Sequence, residues 1–218
     1  MIILPRLYAI VDRACFVTGP DALVAMIRYA GELMAGGVTL IQYRNKSGNA
    51  RQMLSDAREL QRACAAYGAA HQGSIRLIMN DRVDLCLAAG CDGVHVGQTD
   101  LSPEAARMLV GDERWLGVST HSPEQIVEAD GLPVDYVAVG PVFATASKAD
   151  ADSAIGLEGV RRARSLTSKP LVAIGGITRR NCRQVIEAGA DSVSVIADLL
   201  HEPARAAREF LEAMEQEL

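Results

Sequence analysis

Aromatic side chains are scarce, only 4% of the 218 residues with a single tryptophan, and basic charge is in deficit, 22 lysines and arginines against 27 aspartates and glutamates. A formal net charge of -5 supplies no attractive field for a polyanion, which disfavours nucleic-acid binding. No apolar run approaches the length of a membrane span. The stretch from Met1 to Asp12 is broken by Pro5 and Arg6 and lacks the apolar core and small-residue cleavage site of a secretory signal. The five cysteines are odd in number, scattered and without a CxxC pair, so neither a disulfide framework nor a zinc site is indicated, and a reducing cytoplasm is the expected setting. No GxxxxGK[ST] loop occurs and no GxGxxG follows a strand, which removes support for nucleotide hydrolysis and dinucleotide redox chemistry. A Pro/Gly/Ser-rich linker is also missing, so one domain spanning residues 1–218 is expected.

What is present is alternation. Short apolar strands are expected at Leu7–Val11, Val38–Ile41, Leu77–Met79, Gly93–Gly97, Trp115–Val118, Tyr136–Phe143, Leu171–Ile174 and Ser192–Ile196. Between them helical spacing marks Asp21–Ala35, Ala50–Ala70, Arg82–Ala89, Pro103–Leu109, Pro123–Ala129, Leu157–Ser165, Arg179–Ala188 and Pro203–Glu217. About eight strand-helix alternations predict an α/β chain closed into a parallel barrel. Three segments, at 35–40, 89–94 and 188–193, end a helix in Ala-Gly and enter a strand, a repeated joint. An open doubly wound sheet would share the alternation but gather its polar residues at one crevice. Here nearly every strand end from the second onward is polar or glycine-rich, as at a barrel mouth.

Those ends carry chemistry. Thr39-Leu40-Ile41-Gln42-Tyr43-Arg44-Asn45-Lys46 closes an apolar strand with a guanidinium fork and an ammonium, both suited to an oxygen-rich anion. Alone, two solvated cations would be the blander reading. Asn80-Asp81 follows the next strand and Asp100 lies three residues beyond Gly97. With neighbouring strands about 4.8 Å apart, the two carboxylates can share a hard cation while leaving coordination positions for water and phosphate oxygens. Each aspartate could instead be a helix cap. Gly140 to Lys148 adds hydroxyls and a cation, and Gly175-Gly176 and Ile196-Ala197 stand where barrels build phosphate pockets from backbone N–H groups. His95, between Val94 and Val96, reads as a satisfied barrel histidine rather than a base, while His121 stays open.

Gln42-Tyr43-Arg44-Asn45-Lys46, Asn80-Asp81-Arg82-Val83-Asp84, Gly93 to Gln98 with Asp100, Gly117-Val118-Ser119-Thr120-His121, Gly140 to Lys148, and Ala173-Ile174-Gly175-Gly176-Ile177 closely resemble the thiamine phosphate synthase family, in order from about Leu7 to Leu200. The resemblance implies a single-domain TIM (β/α)8 barrel and a transferase. The implied reaction joins 4-amino-2-methyl-5-hydroxymethylpyrimidine diphosphate to 4-methyl-5-hydroxyethylthiazole phosphate with release of diphosphate. It implies that Gln42, Arg44, Lys46, Asn80, Ser119 and Lys148 hold the pyrimidine diphosphate, with Arg44, Lys46, Ser119 and Lys148 serving the chemical step. Asp81 and Asp100 would hold magnesium (Mg2+), and Thr145, Ser147, Gly176, Ile196 and Ala197 the thiazole phosphate. The departures are Ala144 and Ala146 in place of frequent prolines, Ser147 for a threonine and Ala197 for a serine, all on the thiazole phosphate side.

The implied partners are small molecules, with no nucleic acid or membrane, and a homo-oligomer is compatible with this picture. The implied chemistry, departure of diphosphate before attack by the thiazole nitrogen, asks for held charge and orientation but no general base. A thiazole tautomerase-like paralogue on the same barrel would have no use for Arg44, Lys46, Asp81, Asp100 and Lys148 as a diphosphate site. A non-catalytic sensor of thiamine intermediates is the rival of a different class.

Overall fold

The computed structural model describes residues 2–16, 19, 21–46, 48–145 and 153–215. Among them, strand and helix alternate as β1 (Leu7–Asp12), α1 (Ala22–Ala35), β2 (Leu40–Arg44), α2 (Ala50–Ala70), β3 (Arg76–Asn80), α3 (Val83–Ala89), β4 (Gly93–Val96) and α4 (Pro103–Val110). The series continues with β5 (Trp115–Thr120), α5 (Pro123–Gly131), β6 (Tyr136–Val139), α6 (Gly156–Leu166), β7 (Leu171–Ile174), α7 (Cys182–Glu187), β8 (Ser192–Val195) and α8 (Pro203–Glu215). The strands pair in parallel in sequence order, and β8 returns to β1, closing the barrel. Helix starts follow local chemistry. Ser102 and Ser122 each cap a helix opened by proline, accepting from Ala105 N and Gln125 N at 3.3 Å, since the hydroxyl satisfies a backbone donor that the first turn leaves unpaired.

Side chains alternate across each strand, and the pairing register sorts them into two apolar cores. One phase, including Ala9, Val11, Ile41, Tyr43, Leu77, Met79, Val94, Val96, Val137 and Val193, packs outward against the helices. The other, Tyr8, Leu40, Ile78, Tyr136, Ala138 and Val172, fills the lumen as a separate cluster with Trp115 at its edge. Tyr136 reaches across the lumen because Gly117 leaves room: a Cβ at residue 117 would stand 2.1 Å from the Tyr136 Cζ. Tyr8 and Tyr136, both fully buried, therefore occupy the lumen beneath its carboxyl-terminal mouth.

At the opposite end the turns into β4, β6 and β8 share one device. Asp92, Asp135 and Asp191, each just before β4, β6 or β8, accept the backbone N–H of Leu77, Leu116 and Leu171 at 2.8, 2.7 and 2.8 Å. Arg107 and Arg164 close two of these joints by pairing with Asp135 at 2.6 Å and Asp191 at 2.9 Å.

Most boundaries shift by a residue or two, and three of the differences bear on the site. β2 runs on through Gln42 to Arg44, and its polar end does not leave the barrel: Gln42 is 3% exposed, inside the lumen. β6 ends at Val139, not Phe143, because Gly140-Pro141 interrupts it. Backbone pairing nevertheless resumes with Val142 N to Ile174 O at 2.9 Å and Phe143 N to Gly175 O at 3.0 Å. α7 begins at Cys182 rather than Arg179, since Thr178 N donates to Asn181 Oδ1 at 2.7 Å and holds a turn there.

Candidate active site

The residues expected at the mouth share one strand phase. Asp12 pairs with Arg44, Gln42 with Ile78, Asn80 with His95, His95 with Gly117 and Ser119 with Ala138, so Asp12, Gln42, Arg44, Asn80, His95 and Ser119 all face inward. The floor beneath them is one hydrogen-bonded chain. Gln42 Nε2 donates to the Tyr8 hydroxyl at 2.8 Å, which lies 3.1 Å from the Tyr136 hydroxyl. Tyr136 is 3.1 Å from His95 Nδ1, and His95 Nε2 is 2.8 Å from Ser119 Oγ. Burial raises both phenols above their ordinary range, so the tyrosines stay protonated. His95 is thus bonded through both ring nitrogens, as a satisfied barrel histidine.

Above the floor, cations and carboxylates are interleaved. Arg44 pairs with Asp12, and Lys46 Nζ stands 2.5 Å from Asp81 Oδ2. Asp81 occupies a tight turn: its φ is 63°, its N–H donates to His95 O at 2.7 Å, and Arg82 N bonds back to Asn80 O at 2.8 Å. A positive φ in a residue other than glycine is uncommon and costs energy. From this turn the Asp81 carboxylate neighbours that of Asp100, within hydrogen-bonding reach. Burial first, then the hydrogen bond and charge of Asp100, raise the Asp81 carboxyl above its ordinary value against a lowering by Lys46. Asp100 is itself oriented by Gly97 N, which donates to its Oδ2 at 2.8 Å.

This donor set fits a hard divalent cation. It is all oxygen and brings two carboxylates together against their mutual repulsion; among the described residues no third acidic, histidine or cysteine side chain joins them. A magnesium ion bound here would take its remaining ligands from water and substrate oxygens. Next to it the buried Asn80 Nδ2 has no hydrogen-bond partner among the described residues, a donor that a ligand would satisfy.

On the far side of the mouth Gly175 and Gly176 have φ of 100° and 65°. A Cβ on Gly176 would lie 2.7 Å from the Ala144 carbonyl oxygen, so bare backbone here meets the segment that leads to Thr145. Ile196 precedes a 3-10 turn over Ala197–Leu199. Asp198 in that turn accepts from Arg179 N at 2.8 Å and Arg179 Nε at 3.1 Å, tying the Ile196-Ala197 peptide to the loop after Gly176. Ser147 and Lys148 lie outside the described residues.

Sequence reasoning missed Asp12, Tyr8, Tyr136 and Asp198. It also missed the support under the Arg44–Lys46 loop, where buried Asp56 accepts from Tyr43 Oη at 2.8 Å and Gln52 Nε2 at 2.7 Å and faces Arg13 Nε at 3.5 Å. Asn45 extends this support, donating to Tyr43 Oη at 3.2 Å and accepting from Gly48 N at 2.7 Å. The only available signal was an aspartate on the apolar face of α2. His121 Nδ1 donates to Gly140 O at 3.0 Å, a tie between two loops at the rim.

The sequence model of a family described as thiamine monophosphate synthase matches residues 7–199. The chain belongs to this family. A thiamine-phosphate synthase of Koribacter versatilis is 59% identical over 212 residues, covering 97% of this chain and 96% of the relative, and one of Shouchella clausii is 40% identical with 97% of each covered. A solved thiamine phosphate pyrophosphorylase from Pyrococcus furiosus superimposes with a TM-score of 0.80 at 30% identity, covering 96% of this chain and 95% of that one. As a member of this family the chain is a transferase of thiamine biosynthesis acting on small molecules.

Proposed function

We propose that this chain joins 4-amino-2-methyl-5-hydroxymethylpyrimidine diphosphate to 4-methyl-5-hydroxyethylthiazole phosphate, giving thiamine phosphate and diphosphate, as one catalytic domain acting on small cytoplasmic anions. The observation that carries the reading is the convergence of Lys46, Asp81 and Asp100 above a floor that presents Gln42 and Ser119. Charge for a diphosphate and polar groups for a heterocycle meet in one mouth.

In this reading Gln42 and Ser119 orient the pyrimidine, Asn80 Nδ2 donates to the diphosphate, and Arg44 and Lys46 turn from Asp12 and Asp81 toward its oxygens. Asp81 and Asp100 would hold a magnesium ion, which would supply positive charge beside the diphosphate. Diphosphate departs, the C–O bond breaking with its electron pair, and the amino group of the ring stabilises the pyrimidine-methyl cation. The thiazole nitrogen then forms the new C–N bond, its partner's phosphate held by Thr145, Ser147 and the backbone at Gly176, Ile196 and Ala197. Lys148 is assigned to the departing diphosphate. Electrostatic stabilisation of the leaving group and alignment of two bound partners account for the rate, and His121, committed to the Gly140 carbonyl, has no proton to remove from carbon.

The test is product identity. Purified protein with both substrates and magnesium should form thiamine phosphate and diphosphate in equal amounts. Turnover of a thiazole phosphate isomer without the pyrimidine would replace this function with tautomerisation.

A further inference from the structure

Resting on that reading, we infer that Tyr8, Tyr136 and His95 are positioning residues which fix the hydrogen-bonding polarity of the site floor, so that it accepts a 4-aminopyrimidine and rejects its 4-oxo counterpart. The geometry is a continuous path through four barrel strands and a fifth: Gln42 on β2, Tyr8 on β1, Tyr136 on β6, His95 on β4 and Ser119 on β5, with consecutive separations of 2.8, 3.1, 3.1 and 2.8 Å.

Counting protons gives the path a direction. Gln42 Nε2 can only donate, so Tyr8 Oη accepts there. Each phenol has one proton. If Tyr136 gave its proton to Tyr8, the buried Tyr8 proton would have no acceptor among the described residues, a costly arrangement in a low-dielectric interior. The assignment that uses every proton runs from Gln42 to Tyr8, from Tyr8 to Tyr136, and from Tyr136 to His95 Nδ1. The neutral imidazole must then carry its proton on Nε2 and donate to Ser119 Oγ. The serine hydroxyl, already accepting one bond, is left to donate into the mouth.

Both ends of the path face the pyrimidine position. With Nε2 committed, Gln42 presents its amide oxygen, an acceptor with no partner among the described residues, while Ser119 presents a donor. A 4-aminopyrimidine complements this with an exocyclic N–H for the acceptor and a ring nitrogen lone pair for the donor. A 4-oxo ring inverts both groups, offering a carbonyl oxygen and a ring N–H. Reversing the floor to suit it would require every proton in the path to move together and Gln42 to flip. The separation of Gln42 from Ser119 by three intervening groups thus makes the two ends one unit, where two independent polar residues would adapt separately. Gly117 is part of the device, since only its missing Cβ admits the Tyr136 ring.

The experiment uses unreactive monophosphates of the 4-amino and 4-oxo pyrimidines, with binding measured by calorimetry on wild type, Tyr136→Phe and Tyr8→Phe, and with 15N spectra of histidine-labelled wild type. The expected result is an Nε2–H tautomer for His95 and a wild-type preference for the 4-amino ligand. In both phenylalanine variants that preference should shrink on the order of tenfold, through tighter binding of the 4-oxo ligand rather than weaker binding of the 4-amino one. An Nδ1–H tautomer in the wild type, or an unchanged preference in variants that retain the wild-type fold by circular dichroism, would overturn the inference. The tautomer is read on wild type alone and decides even if neither variant folds. Coupling by wild-type protein, measured in parallel, reports on the function separately: its absence would sink the synthase reading while leaving the floor polarity to these measurements.

Discussion

Lys46 Nζ lies 2.5 Å from Asp81 Oδ2, so a cation proposed for substrate and a carboxylate proposed for metal pair with each other at the rim. Binding of a magnesium diphosphate would release both at once, the ammonium to phosphate oxygens and the carboxylate to the ion. The pair keeps two charges poised at the rim, and exchanging one ionic partner for another limits the cost of loading the site.

Metal binding should therefore compete with protonation of Asp81. Because burial and Asp100 raise this carboxyl above its ordinary value, the folded metal-free chain takes up a proton more readily than the unfolded one. The contribution of Asp81 to metal-free stability accordingly falls as pH rises through its folded-state pKa. Magnesium should raise the melting temperature at pH 8, and that increment should shrink as pH falls toward 5. Asp81→Asn, which tolerates the positive φ of 63°, should abolish the increment without lowering metal-free stability at pH 8. Differential scanning fluorimetry across pH reads both effects. An increment of equal size in the variant would remove Asp81 from the metal site.

Gly117→Ala should destabilise the barrel by about 3 kcal/mol, since overpacking forces a buried ring to move and the new Cβ would meet Tyr136 Cζ at 2.1 Å. Denaturant unfolding of the variant measures this. Stability equal to wild type would mean that Tyr136 can leave the lumen freely.

Asp56→Ala should cost about 3–5 kcal/mol, the range for removing one partner of a buried charged pair, because Tyr43, Gln52 and Arg13 all converge on this carboxylate. The loss should be accompanied by a higher KM for the pyrimidine diphosphate, since Tyr43 and Asn45 anchor the loop bearing Arg44 and Lys46. Urea unfolding and steady-state kinetics on the same preparation separate the two effects.

How far the sequence went in announcing this site depends on the range of the interaction. That Gln42, Arg44, Asn80 and Ser119 stand at strand ends around one mouth is local information, carried by motifs of a few residues each; their inward phase came only with the strand register. The expected strand end after Ile41 was wrong because a run of polar residues resembles an exit from the core, whereas a barrel lumen near its mouth tolerates polar side chains that bond to one another. Tyr8 and Tyr136 were indistinguishable from ordinary strand aromatics, since their partners are 34, 128 and 41 positions away in sequence. Asp198 was hidden for the same reason: its partner Arg179 is on another loop, and helical periodicity had assigned that arginine to the first turn of α7.

His121→Asn should change coupling by less than about tenfold between pH 6 and 9, because asparagine can also donate to the Gly140 carbonyl and a base-free substitution asks nothing more of this position. Initial rates across that range check it. A loss of several orders of magnitude, with the wild-type rate falling as a histidine is protonated, would contradict the base-free mechanism.

The most direct measurement is the initial rate of thiamine phosphate formation by wild type and Asp81→Asn, titrated with magnesium and repeated in excess chelator. The wild type should be inactive in chelator. The variant should lose on the order of a hundredfold in kcat/KM for the pyrimidine diphosphate, about 3 kcal/mol of lost charge stabilisation, with the KM for thiazole phosphate nearly unchanged. Unchanged wild-type turnover in excess chelator, or an equal loss toward both substrates in the variant, would contradict a metal-held diphosphate at Asp81 and Asp100.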